Sequence, residues 1–219
     1  MKTRSKALLL TLCAVLLVAA SVLGTMAYLT DDDQVVNTFT VGKVKITLDE
    51  AKVNLAGEPV DKDGNVVNLT DAPRVAENKY HLLPGHEYDK DPIIHVDSES
   101  EDCYLFVTIN NAITGIEASG NTVAEQMAVK GWQVVDSDAG LYVYVGTTED
   151  ATAPLAVTKN SNIAVFEKIE IAGSVDNITL ADYEDATITV TAYAVQKDGF
   201  ENKTAADIWK ATFGASAEG

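Results

Sequence analysis

Short apolar–polar alternations, each ended by a turn signal, recur along most of this chain and restrict its fold more than any other feature. In residues 186–195, Ile188, Val190, Ala192 and Ala194 fall on one face, and Thr187, Thr189, Thr191, Tyr193 and Val195 fall on the other. A period of two puts successive side chains on opposite sides of a pleated strand. Residues 35–48 carry similar stretches, with Phe39 and Val41 before Gly42, a predicted bulge or bend, and Val44, Ile46 and Leu48 after it. Further strands are predicted over 93–96, 140–145 and 163–171, and the apolar run 103–109 reads as a central strand. Asp61-Lys62-Asp63-Gly64-Asn65 predicts a hairpin turn, since Asp-Gly accommodates positive φ, and Leu83-Pro84-Gly85 predicts another turn.

Helical signals are few. Thr122 stands three residues before Glu125, the spacing of a capping box, and predicts a helix over 122–129. A second is predicted over 203–213, capped by Thr204, with Ile208, Trp209 and Phe213 as an apolar stripe and Gly214 as its stop. Many short strands with two minor helices predict an all-β fold: an antiparallel β-sandwich or jelly roll with one or two short peripheral helices. No internal repeat interrupts the chain, so residues 28–219 are expected to form a single domain.

Residues 1–27 have the three parts of a secretory signal. Lys2, Arg4 and Lys6 give a positive start, residues 7–22 are almost wholly apolar, and small residues precede an expected cleavage between Ala27 and Tyr28. The apolar stretch of 16 residues falls short of the roughly 20 that span a bilayer, which favours cleavage over a retained anchor. Cys13 lies deep in that stretch and follows Leu12 rather than a small residue, so lipid attachment there is disfavoured. Cleavage removes 27 of 219 residues and leaves 192, enough for one sizeable core or two small domains.

The charge bears on partners. Of 33 acidic and 16 basic residues, the signal takes three basic and no acidic ones, moving the formal charge from −17 to −20. Such a surface opposes nucleic acid and anionic membranes, whose binding needs clustered Lys and Arg. Loss of Cys13 leaves Cys103 alone, so the processed chain forms no internal disulfide and depends on its core. Cys103 sits in an apolar run beside Glu99, Glu101 and Asp102, a setting opposed to a reactive thiolate.

Catalytic patterns are scarce. A zincin helix needs His-Glu-x-x-His so that two imidazoles face one metal. Here His86-Glu87 is followed by Tyr88, Asp89 and Lys90. His81, His86 and His95 are the weak metal candidates, but Pro84, Gly85 and Pro92 put them on turns and extended chain with no period that makes them converge. No nucleophile elbow, phosphate-binding glycine loop or nicotinamide fingerprint occurs. Residues 61–65 lack the downstream Glu of a calcium loop, and Asp97, Glu99, Glu101 and Asp102 read as a solvated loop. No catalytic or cofactor-binding residue is assigned, and weak Ca²⁺ or Zn²⁺ binding is the most these groups would support. Asn68-Leu69-Thr70, Asn177-Ile178-Thr179 and Asn202-Lys203-Thr204 match glycosylation sequons.

The junction Gly24-Thr25-Met26-Ala27-Tyr28-Leu29-Thr30-Asp31, followed by Asn37-Thr38-Phe39 and Gly42-Lys43-Val44-Lys45-Ile46, resembles the start of the TasA/camelysin family. Leu83-Pro84-Gly85 leading to Cys103-Tyr104-Leu105-Phe106-Val107, and Thr191-Ala192-Tyr193-Ala194-Val195-Gln196 with Gly199-Phe200, resemble later family segments. The junction is the specific part of this likeness. The resemblance implies a secreted protein of a Gram-positive bacterium, processed by a SipW-type signal peptidase. It also implies a jelly-roll subunit of biofilm-matrix fibres, whose partners are copies of itself and accessory matrix proteins. Residues 28–40 would then be a donor segment entering a neighbour's sheet, with Tyr28, Leu29, Val35, Val36, Phe39 and Val41 as assembly residues. Asp31-Asp32-Asp33 suits a solvated linker better than a buried strand, so either 35–41 is the inserted part or the acidic run meets cations; the plainer alternative is that residues 35–48 form the first strand of their own subunit. Two rivals stand beside this expectation: a camelysin-like secreted metallopeptidase, and a monomeric surface-binding module using Trp132, Trp209, Tyr142 and Tyr144.

Overall fold

The computed structural model of the chain describes residues 43–149 and 151–214. The expected cleavage site at Ala27 and Tyr28, the residues Leu29, Val35, Val36, Phe39 and Val41, and the bend at Gly42 lie outside the described residues. The described part is an all-β antiparallel sandwich. In chain order its strands are β1 (Ile46–Ala51), β2 (Arg74–Val75), β3 (Glu87–Asp89), β4 (Ile93–Val96) and β5 (Cys103–Asn111). They continue as β6 (Trp132–Asp136), β7 (Leu141–Tyr144), β8 (Ala156–Val157), β9 (Asn162–Ala164), β10 (Lys168–Glu170) and β11 (Ile188–Gln196).

One sheet has the order β2-β1-β4-β9, and a larger one has the order β11-β5-β7-β6, with β8 adding to β5. β3 and β10 form a separate pair. β5 is central because both its faces are apolar. Cys103, Leu105 and Val107 point into the main core between the sheets, against Ile94 and Val96 of β4. Tyr104 and Phe106 point to the opposite face, under the C-terminal helix. Five consecutive β5 residues from Cys103 to Val107 are buried, as the apolar run predicts.

Three short helices pack around the sandwich: α1 (Val123–Val129), α2 (Asn177–Ala181) and α3 (Ala205–Phe213). The expected capping box closes α1: the Thr122 hydroxyl accepts from the Glu125 N–H at 3.2 Å, and the Glu125 carboxylate accepts from the Thr122 N–H at 2.8 Å. Thr204 caps α3 in the same position, accepting from the Asp207 N–H at 3.2 Å. Ile208 of α3 is fully buried, and Trp209 and Phe213 stack with each other and with Tyr193 of β11. α2, capped by Asp176, is a third helix that patterning does not foresee, since none of its residues is buried.

The expected single strand over 163–171 is two strands in two different sheets. β9 ends at Ala164 and β10 begins at Lys168, while Val165 and Phe166 between them turn fully into the main core. A continuous strand places successive residues on opposite faces, as β5 does, so turning both neighbours into the same core breaks the ladder. The two expected turns are present. Asp61 collects the backbone N–H groups of Asp63 and Asn65 at 2.9 Å each, with Gly64 at φ 89°. Gly85 has φ 72° after Pro84.

Candidate functional site

The two long edges of the sandwich differ. Along the β6/β9 side, the Trp132 indole N–H donates to the Ala164 carbonyl at 2.9 Å, tying β6 to β9. Met127 and Val123 of α1 seal the core there. Gln126 adds three links, donating to the Lys168 carbonyl at 3.0 Å and accepting from the N–H groups of Glu167 at 3.1 Å and Lys168 at 3.2 Å.

Along the opposite side β11 and β1 face each other, and among the described residues only β2, at the end of β1, pairs with either outer edge. β11 pairs with β5 over nine residues, Ile188 to Gln196. At its two ends the Ala112 N–H donates to the Thr187 carbonyl and the Lys197 N–H to the Asp102 carbonyl. Backbone groups alternate in direction along an antiparallel strand, so odd-numbered residues of β11 bond β5, and Ile188, Val190, Ala192 and Ala194 direct theirs outward. Among the described residues no strand pairs with that outer edge. The same logic holds for β1. The Asp97 N–H donates to the Lys45 carbonyl, so Ile46 and Leu48 direct their backbone groups away from β4. β2 covers only Glu50 and Ala51.

The side chains along this seam are apolar but only partly buried: Val44, Ile46 and Leu48 on one side, Ile188, Val190, Ala192 and Ala194 on the other. Towards one end the seam widens into a groove of about 880 Å³. Its apolar wall includes Leu48, Ile113, Ile169, Leu180, Ile188 and Val190.

Its other wall is polar. Lys90, 9% exposed, donates to Glu50, 4% exposed, at 2.6 Å. The Asn78 amide donates to the second oxygen of Glu50 at 3.0 Å and to the Ala51 carbonyl at 2.7 Å, and its oxygen accepts from the Val53 N–H at 2.9 Å. The Tyr80 ring lies 5.6 Å from the Lys90 Nζ. Burial, with Glu50 and Asp91 nearby, pushes the Tyr80 phenol well above its ordinary value.

A second polar group adjoins it. Arg74 bonds Asp49 at 2.6 Å and Asp91 at 2.5 Å, and His95 places Nε2 2.9 Å from Asp49 and Nδ1 2.7 Å from Asn162. Burial works against the charge of Asp49, but hydrogen bonds from Arg74 and His95 outweigh it and hold its carboxyl below the ordinary aspartate value.

The weak metal candidates do not meet. His81 and His86 are exposed on the 76–86 segment, with His86 Nδ1 3.2 Å from the Pro84 carbonyl, and His95 is engaged on β4. Among the described residues no group of three His, Cys, Asp or Glu side chains is arranged to hold a metal ion. Cys103 is fully buried, and burial, followed by the charge of Asp102, pushes its thiol up to about 11. Trp132 is 3% exposed and joins the core instead of forming a stacking surface.

Sequence patterning points to β11 as a strand but not to its position at an edge. Asn78, Lys90 and Glu50 carry no motif; only the fold brings them together. Comparison with protein-family models, with curated proteins and with solved structures found no match.

Proposed function

We propose that this protein is a secreted, non-enzymatic structural subunit of extracellular biofilm-matrix fibres, assembled when residues 28–40 of one copy add as a strand to the β1/β11 seam of the next. The observation that carries the proposal is the outer edge of β11, which among the described residues has no strand partner while its inward side chains are only partly buried. An incoming strand would satisfy backbone groups of Ile188, Val190, Ala192 and Ala194 on one side and of Ile46 and Leu48 on the other.

The leading segment has the side chains for this. Val35, Phe39 and Val41 share one face by period two and suit an apolar groove, with Tyr28, Leu29 and Val36 as further contacts. Asp31, Asp32 and Asp33 would remain in the solvated link between subunits. Release after Ala27 by a SipW-type signal peptidase acts as the switch, since the segment is tied to the signal until then. A head-to-tail contact that does not close on itself propagates as a filament. The likeness of the 24–46 junction to the TasA/camelysin family supports the same assignment.

The test compares purified 28–219 with a version lacking 28–40, by electron microscopy and light scattering. Fibres from the first and monomers from the second are expected. A full-length processed chain that stays monomeric at high concentration, across pH and calcium, refutes the assembly.

A further inference from the structure

The Glu50–Lys90–Asn78 group has more structure than an ion pair requires. A single buried carboxylate holds an amine on one oxygen, at 2.6 Å, and a primary amide on the other, at 3.0 Å. We propose that Lys90 and Asn78 are joined by an intramolecular isopeptide bond, formed by attack of the Lys90 Nζ on the Asn78 Cγ with Glu50 as the catalytic proton carrier.

Each contact has a place in that reaction. Attack needs the free amine, and the hydrogen bond from Lys90 to Glu50 is the path by which its proton leaves. As Nζ bonds to Cγ, the Asn78 oxygen gains negative charge. The Val53 N–H already donates to that oxygen at 2.9 Å and stabilises it there. The Asn78 nitrogen, held by the other oxygen of Glu50, then takes a proton and leaves as ammonia. The balance is Lys90 ammonium plus primary amide giving secondary amide plus ammonium ion: one Nζ proton passes through Glu50 to the leaving nitrogen, the second is shed from the new amide nitrogen and departs with the ammonia, and Glu50 returns to the carboxylate. No oxidant or cofactor enters.

The surroundings hold the amine and the amide in place. Glu50 and Lys90 are buried, and Tyr80, between the two reactants in sequence, lays its ring against the amine. The Ala51 carbonyl, accepting at 2.7 Å, fixes the amide plane. Closing the chain between 78 and 90 would tie the 76–83 wall of the groove to the end of β3. Such a bond would also give an exported chain whose only thiol is the buried Cys103 a covalent tie of another kind.

The experiment is intact-mass measurement of the folded processed chain, 28–219, followed by trypsin digestion. The expected mass is below the sequence mass by one molecule of ammonia. Digestion should give a branched peptide in which 75–79 is joined to the peptide carrying Lys90, with no cleavage after Lys90. Glu50→Gln keeps the shape of the side chain and one of its two acceptor oxygens but takes up no proton, and should restore the full mass and the linear peptides. Lys90→Arg should do the same and serves if Glu50→Gln fails to fold. Native protein at its full sequence mass overturns the proposal, as does an ammonia loss that maps to a linear peptide. A bond that still forms in folded Glu50→Gln overturns the role of Glu50.

Discussion

Asp91 is 6% exposed and holds Arg74 at 2.5 Å, while its other oxygen accepts the Ala51 N–H at 2.7 Å. One carboxylate thus fixes the end of β1 and the side chain through which β2 reaches across it. Arg74 extends the clamp by donating to the backbone carbonyls of Asp49 and Asp91 at 2.7 and 3.0 Å. Removing one partner of a buried pair leaves a charge that is neither hydrated nor neutralised. Arg74→Ala is therefore expected to destabilise the fold by about 3 kcal/mol, read as a lower urea midpoint with unchanged slope. Arg74→Lys should recover only part of the loss, because an ammonium cannot span both carboxylates as the planar guanidinium does.

The same cluster sets a pH response. The folded-state value of Asp49 lies below its ordinary one, chiefly through Arg74 and His95 working against burial. A group depressed on folding contributes stability that is complete above its ordinary value and is lost as pH falls through the depressed one. The protein should thus lose stability in the acid range below the ordinary aspartate value, and Asp49→Asn should show a shallower decline there. Urea midpoints of both proteins at a series of pH values check this. Parallel curves would show that Asp49 is not a source of the acid slope.

How far the sequence discloses these features depends on how local their causes are. The α1 capping box and the Asp61 turn depend on groups within four residues of each other, and both are visible as spacing. β5 and β11 are legible because alternation survives wherever a strand buries at least one face. Residues 163–171 mislead because Val165 and Phe166 are apolar for a reason other than strand pairing: they plug the core between two strands that belong to different sheets. α2 hides because a five-residue helix with no buried residue leaves no apolar stripe. The seam and the Glu50–Lys90–Asn78 group are illegible for a third reason. Glu50 lies 40 residues from Lys90 and 28 from Asn78, and only the return of the chain along β4 and the 76–83 segment brings them together.

Cys103 should be inert in the folded protein. Its side chain is fully buried in the main core, and a thiol pushed up to about 11 carries almost no thiolate at neutral pH. Thiol-reactive dye added to the processed chain should label it at the rate of global unfolding, and quickly once urea is present. No disulfide-linked dimer should appear on non-reducing gels. Rapid stoichiometric labelling without denaturant would mean that this part of β5 opens locally.

The direction of backbone groups along β11 allows folding and assembly to be separated by one residue step. The Ala192 N–H points away from β5, so Ala192→Pro removes a donor that no other described strand uses. Proline is tolerated on edge strands where the missing N–H faces outward. Thr191 is opposite in kind: it sits across from Thr108 with its backbone groups bonded to β5, so Thr191→Pro breaks the ladder at its middle. Thr191→Pro is expected to lower the urea midpoint sharply or to prevent folding. Ala192→Pro is expected to stay folded with a midpoint close to that of the parent, yet to lose fibre formation in light scattering, because an added strand would meet a missing donor and a ring at the centre of the seam. If Ala192→Pro folds and still forms fibres like the parent, this edge is not where the next subunit joins.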